Sequence, residues 1–218
     1  MSQLDYREFV DLVTQSGILP FSDFVPEYPA LTTAASHNNW HTGTDTDPWL
    51  WRIRIVQDGA AAYGKFFGTK ASFIHVDFFP VVKTILASDR TVEERYQDGL
   101  LSASAYRIYK ILREQGNVDS RQLRKQAGLD TKESKKEYDR ALIELQNQGD
   151  VVITGSQESD NESGWSSMCY ELSDDWMKSI PGSGRSLTIE EAKEQLREKL
   201  TKTCSGPAYK YFAKKMQL

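Results

Sequence analysis

Cysteine is nearly absent from this chain. Cys169 and Cys204 are the only two, and they form no CxxC or other metal-type spacing. That excludes a disulfide framework and a thiolate zinc site, and the expected compartment is a reducing one. Histidine is almost as scarce, with three residues in the chain. No apolar run approaches the ~20 residues needed to cross a bilayer as a helix. The opening MSQLDYREFVDLV places acidic residues where a secretory signal needs a basic start and an unbroken apolar stretch, so a cytoplasmic protein without membrane contact is expected. A basic excess is also missing. The formal net charge is −4, which argues against a protein that simply coats nucleic acid, while leaving open a local cationic face.

Catalytic signatures are equally thin. Gly64-Lys65 hints at a phosphate loop, but the Gly-Lys-Ser/Thr of a Walker motif does not follow, and Gly59, Gly64 and Gly68 form no such loop. No Gly-x-Ser-x-Gly or Cys/His nucleophile set occurs. His37, His41, Asp45 and Asp47 cluster without the tight helical spacing of a metalloenzyme, so neither metal nor cofactor is expected. Trp40, Trp49 and Trp51 with Phe66 and Phe67 have the composition of a base-stacking platform. An internal hydrophobic seam between a loop and its helix is the better reading.

What is present is 39% hydrophobic and 27% charged residues over 218 positions, enough to bury a core in one large domain or two small ones. Leu4, Phe9, Leu12 and Val13 predict a helix closed by Gly17. The stretch from Ile18 to Asp47 contains Pro20, Pro26 and Pro29 and is expected to be a long ordered loop, pinned by Phe21, Phe24, Tyr28 and Trp40. Asp47-Pro48 is a helix start, an N-cap followed by proline at the first helical position. The helical spacing continues loosely through Leu50, Ile53, Ala60, Tyr63 and Phe67. DFFPVVKTILAS predicts another helix, and the charged residues 89–99 read as a connector.

From Leu101 the pattern sharpens. SASAYRIYKILREQG is an amphipathic helix, DSRQLRKQAG a short helix capped by Asp119 or Ser120, and a longer helix follows with Tyr138, Leu142 and Leu145 on one face. Asp130 and Glu133 are spaced as a capping box for it. DVVITG, the polar loop SQESDNESGW and SSMCYEL then read as strand, loop and strand. Helix, short helix, long helix, strand, loop, strand is the order of a winged helix-turn-helix. A second capping box, Thr188 and Glu191, opens a helix through Leu196 and Leu200, and Tyr209, Phe212 and Met216 mark a last one after Ser205-Gly206-Pro207. The expected architecture is α+β but mostly α: an N-terminal helical region (1–99), a winged helix (100–182) and a C-terminal helical pair (183–218).

A winged helix reads duplex DNA by laying one helix in the major groove while its neighbours touch the phosphate backbone. The short helix supplies Arg121, Arg124 and Lys125, and the longer one Lys132, Lys135, Lys136 and Arg140. With Tyr138, Leu142 and Leu145 buried, Lys136 and Arg140 face solvent. Against this stand Glu133, Glu137, Asp139 and Glu144 on the same helix and Glu158, Asp160 and Glu162 in the wing. The same fold also serves as a protein-interaction module or forms a homodimer.

The stretch AAYGKFFGTKASFIHVDFFPVVK resembles a segment of the bacterial crosslink-repair DNA glycosylases of the YcaQ/AlkZ type. There an aromatic-rich FEYW piece leads into a HEASLLP element and an acidic, aromatic turn. The second helix, with its glycine, hydrophobic residue, serine and leucine, is similar too, as are the junction ALIELQNQGDVVI and the strand YELSDDWMKSIP. The resemblance runs from about Asp5 to Pro181. It implies stacked winged helices that cradle duplex DNA, and a QxQ or QxD motif that positions the attacking water. Pro20 and Ser22 occupy that motif's place here, and Thr69 and Lys70 stand for the histidine and glutamate of HEAS. Proline offers no side-chain donor or acceptor, and serine is too weak a base to activate water. Three readings follow: a DNA-binding relative without the chemistry, a glycosylase with catalytic groups relocated to Gln15, Ser22, Asp23 and His41, or a protein-docking module.

Overall fold

The computed structural model describes residues 4–157, 166–180 and 187–218. Helix α1 (Tyr6–Ser16) begins at Asp5, whose carboxylate accepts from the Glu8 N–H while Glu8 reaches back to the Asp5 N–H, satisfying two end donors at once. It stops at Gly17, where φ is 74° and a Cβ would lie 2.8 Å from Lys199 Cε. The left-handed backbone favours glycine there, and any side chain would also have to displace the end of Lys199.

The expected loop after Gly17 is more structured than its prolines suggest. Ile18–Pro20 form strand β1, followed by helix α2 (Leu31–Ala34) and a 3₁₀ turn (His37–Asn39). Pro20 is tolerated because β1 lies at the edge of the sheet, with a neighbour on one side only. Helix α3 (Pro48–Gln57) starts on Asp47 as expected but ends before Gly59. Ala61–Gly64 turn out to be strand β2, and Ser72–His75 strand β3. The loose helical spacing of Ala60, Tyr63 and Phe67 therefore came from two elements read as one. Helix α4 (Phe79–Leu86) follows. Residues 89–99 are no mere connector: Thr91 and Glu94 form a capping box that opens helix α5 (Val92–Gln97).

Helix α6 (Ala103–Gln115), strand β4 (Val118–Asp119), helix α7 (Ser120–Gln126), helix α8 (Lys135–Asn147) and strands β5 (Val151–Gln157) and β6 (Ser167–Leu172) come next. Asp119 caps α7 by accepting from the N–H groups of Arg121 and Gln122. The Asp130/Glu133 box does not form. Thr131 Oγ1 instead accepts from the Ser134 N–H at 3.2 Å, closing a turn, and α8 begins only at Lys135. The chain ends in helices α9 (Ser173–Lys178), α10 (Ile189–Thr203), opened by the Thr188–Glu191 box, and α11 (Gly206–Met216).

All six described strands join one antiparallel sheet in the order β1-β3-β2-β5-β6-β4. The link between its halves is the pairing of Tyr63 with Ile153. Alternate residues serve alternate faces, as a pleated strand dictates. Leu19, Ala61, Tyr63, Phe73, Val151 and Ile153 point to a core with residues of α1, α3, α6, α7 and α8. Ile18, Ala62, Ile74 and Val152 point to another with residues of α4, α9, α10 and α11. The fold is thus a mixed α/β structure, helices on both faces of one sheet. Among the described residues no helix is long and apolar enough to cross a membrane.

Candidate nucleic-acid interface

Helix α8 packs Tyr138, Ala141, Leu142 and Leu145 inward, which turns the positions one helical step away toward solvent. Lys136 and Arg140, four residues apart, are exposed on that outer side and have no hydrogen-bond or ion-pair partner among the described residues. Lys132, in the turn before α8, and Lys125, in the last turn of α7, are exposed in the same way.

Glu133 lies before α8 and is exposed beside Lys132, whereas the three acidic residues within α8 each have a partner. Glu137 accepts from the Ser104 hydroxyl and lies 3.9 Å from Arg107, both on α6. Glu144 accepts from the Ser102 N–H at 3.1 Å, at the start of the same helix. Asp139 pairs with Lys135 at 2.6 Å. One expected phosphate ligand is thereby neutralised, and the other cations of the helix keep their charge unshared.

Arg124 has a different task. Its Nε donates to the Leu129 carbonyl at 3.0 Å and a terminal nitrogen to the Thr131 carbonyl at 2.9 Å, with the guanidinium 5.6 Å from the Tyr138 ring centroid. It clasps the turn joining α7 to α8. Arg121 is exposed in the first turn of α7. Glu158, Asp160 and Glu162, in the loop expected to form a wing, lie outside the described residues.

The N-terminal region handles charge in the opposite manner. Asp47 is almost wholly buried and accepts from the N–H groups of His41, Gly43 and Trp49 at 3.0, 3.0 and 2.9 Å. Burial alone would raise its carboxyl, but those backbone donors outweigh it and hold the group below the usual carboxylate range. Asp47 thus closes the preceding loop onto α3. Arg52, 7% exposed, lies 3.7 Å from the Trp49 ring and donates to Met168 Sδ at 3.6 Å, while its Nε has no partner among the described residues. Burial pulls its guanidinium below the ordinary value, partly offset by Tyr63. Arg95, 5% exposed, donates to both carboxylate oxygens of Asp150 at 2.9 and 2.8 Å. Arg52 carries no signal in the helical periodicity, because α3 buries Trp51, Arg52, Ile53, Ile55 and Val56 nearly all round.

The aromatic set is split by the sheet. Trp51 stacks on Phe9 at 5.8 Å, and Trp40 and Trp49 both meet Phe21. Phe66 and Phe67 sit in the other core, against Phe79 and Phe212. Gln15, Asp23 and His41 are exposed and Ser22 half-buried. Among the described residues no hydrogen bond joins any of these four to another: His41 contacts Trp40 and Trp49 and donates its N–H to Asp47.

No curated protein and no solved structure matches the chain. A family model described as AlkZ related matches residues 4–217, nearly the whole length, and the chain belongs to that AlkZ-related family.

Proposed function

We propose that this member of the family binds the phosphate backbone of duplex DNA without catalysing base removal, and that residues 100–182 act as a winged helix-turn-helix with α8 as its recognition helix. The order α6, β4, α7, α8, β5, β6, with β4 paired to β6, supports the winged-helix assignment. The observation that carries the reading is the state of charge on α8. Its carboxylates are occupied by Ser104, Ser102 and Lys135, while Lys136 and Arg140 remain exposed and unpaired among the described residues. Unshared cations on an exposed helix face gain affinity by releasing counterions from DNA, which makes binding steeply salt-dependent.

The absence of chemistry is proposed from the residues at the family motif's place. Pro20 is paired in the sheet opposite Ser72, and Ser22 follows Phe21, whose N–H is bound to the Ala71 carbonyl. Neither side chain is a carboxylate or an amide able to orient and deprotonate water. Fluorescence anisotropy with intact and alkylated duplexes across a salt series tests both parts. Affinity that falls with salt and ignores the lesion is expected. Release of free base from an alkylated duplex would restore the enzyme, and no binding at low salt would make the fold a protein-docking module.

A further inference from the structure

Several stretches of this acidic chain contain no carboxylate side chain, and the fold brings two lysine-bearing ones together. One runs between Asp58 and Asp77 and holds Lys65 and Lys70. The other follows Glu198 and holds Lys199, Lys202, Lys210, Lys214 and Lys215. They are far apart in sequence, yet the fold joins them. Residues 65–71 connect β2 to β3, and Phe67 of that turn meets Phe212 of α11 edge-on at 5.9 Å. The Lys215 amine lies 3.9 Å from where a side chain on Gly68 would begin. Lys70, Lys214 and Lys215 are exposed and have no ion-pair partner among the described residues.

The same turn is fastened to the end of α8. The Asn147 amide donates to the carbonyls of Lys65 and Gly68 at 3.0 and 3.1 Å, and Gln146 accepts from the Lys65 N–H at 2.7 Å. The turn that carries Lys70 and meets Lys215 therefore lies at the C-terminal end of the helix that exposes Lys136 and Arg140 nearer its start, with Glu144 between them turned to the Ser102 N–H. Lysines in the last turn of α11 also complement its dipole. That accounts for Lys214 and Lys215 one by one, but not for Lys70 on another element, and Asp89 is the carboxylate that lines the hollow beside Lys215.

We propose that Lys70, Lys214 and Lys215 form a second phosphate-binding surface that engages the same duplex as Lys136 and Arg140. The inference rests on the DNA-binding reading of α8. From Lys136 to Asn147 the helix advances about 16 Å, against a major groove about 12 Å wide. The turn that carries Lys70 thus lies along α8 from Lys136 by somewhat more than one groove width, a placement that suits contact with the phosphates across that groove.

The test is duplex binding by anisotropy across a salt series for three proteins: the natural chain, Lys70→Glu/Lys214→Glu/Lys215→Glu, and Lys136→Glu/Arg140→Glu. Circular dichroism confirms folding, and the corresponding triple glutamine variant replaces the glutamate one if it fails to fold. The triple variant is expected to bind at least about tenfold more weakly, with a salt slope shallower by about 2 to 3, as loss of two or three phosphate contacts requires. A triple arginine variant should keep the natural affinity. Natural affinity in the triple glutamate or glutamine variant, with loss in the α8 variant, overturns the second surface and leaves the α8 reading standing. Absence of salt-dependent binding by the natural chain overturns both. Binding to phosphatidylglycerol–phosphatidylcholine vesicles that is lost in the triple variant, with duplex affinity unchanged, overturns it in favour of a lipid surface.

Discussion

Around α3 and α5 this protein buries its charges, whereas along α8 it displays them. Asp47, Arg52 and Arg95 are each nearly inaccessible, and each hydrogen-bonds within the chain itself. On α8 the carboxylates are the groups that turn inward to α6 or to a neighbouring lysine, and Lys136 and Arg140 are left to solvent. A charged residue in a helix thus has two fates, a tether within the fold or a contact for a partner, and the sequence writes both with the same letters. Burial and pairing separate them. The separation implies that substitutions in the first region change stability, and those in the second change binding.

The largest expected effect belongs to the Arg95–Asp150 pair. Its carbonyl neighbourhood also matters, since Ser173 donates its N–H to the Asp150 carbonyl at 2.9 Å and its hydroxyl to the Gly149 carbonyl. Replacing Arg95 with Met strands a mostly buried carboxylate, at a cost on the order of 3 to 5 kcal/mol in urea unfolding at pH 7. The sign of the pH dependence is fixed by Asp150, whose carboxyl burial already pushes up, with Arg95 opposing. Without Arg95 the folded-state value rises further above the unfolded one, so the variant loses stability as pH climbs through that window. Its deficit should shrink as pH falls. A deficit that is small and flat with pH would mean the pair is not a tether.

Next in size is the double reversal Lys136→Glu/Arg140→Glu. It places two negative charges where two cations stood, and duplex affinity should fall by about tenfold to a hundredfold with a shallower salt slope. The melting temperature should stay within error, because neither side chain touches the core. A destabilised variant with unchanged affinity would collapse the contrast between the two regions.

Asp47 gives a smaller effect. Asp47→Asn keeps a hydrogen-bonding cap but loses the charge that three N–H groups favour, and about 1 kcal/mol should be lost at neutral pH. Because the folded carboxyl sits below its ordinary value, its contribution is fully present above the unfolded pKa of about 3.9. It fades as pH falls through the lower, folded value. The two proteins should therefore converge in stability toward acid, and a gap that persists there would assign Asp47 a purely steric role.

Legibility followed the same division. The capping residues Asp47, Thr188 and Asp119 and the stop at Gly17 are local chemistry, and each stands where its type predicts. The helix spacing from Tyr138 to Leu145 was equally readable, since one face is wet and the other dry. What failed was long-range. Tyr63 and Phe73 lie in strands whose partners, Ile153 and Leu19, are separated by tens of residues, and β2 is too short for a period of two to declare itself. The Asp130/Glu133 spacing fitted a capping box, but Arg124 holds the carbonyls of Leu129 and Thr131 and keeps that segment in a turn. Among the seven basic residues picked from sequence, this tether and the Lys135–Asp139 pair depend on geometry no spacing rule carries. No spacing rule joins the lysines at 70, 214 and 215, because their elements meet through contacts distant in sequence, Phe67 with Phe212 and Gly68 with Lys215.

The finest test of the contrast is Asp139→Asn. The Lys135–Asp139 pair is exposed, and an i,i+4 ion pair on a helix surface contributes about 0.3 to 0.5 kcal/mol, so stability should fall by no more than that. Its removal takes a negative charge off the helix and releases Lys135 toward solvent on the same helix as Lys136. Duplex affinity should then rise, by a factor of about two to five at low salt, and the gain should vanish as ions screen it. Few single substitutions lower stability and raise affinity together. If affinity were to fall instead, Asp139 would be acting on DNA through some contact of its own, and the assignment of α8's carboxylates to internal work would fail at the helix where it matters most.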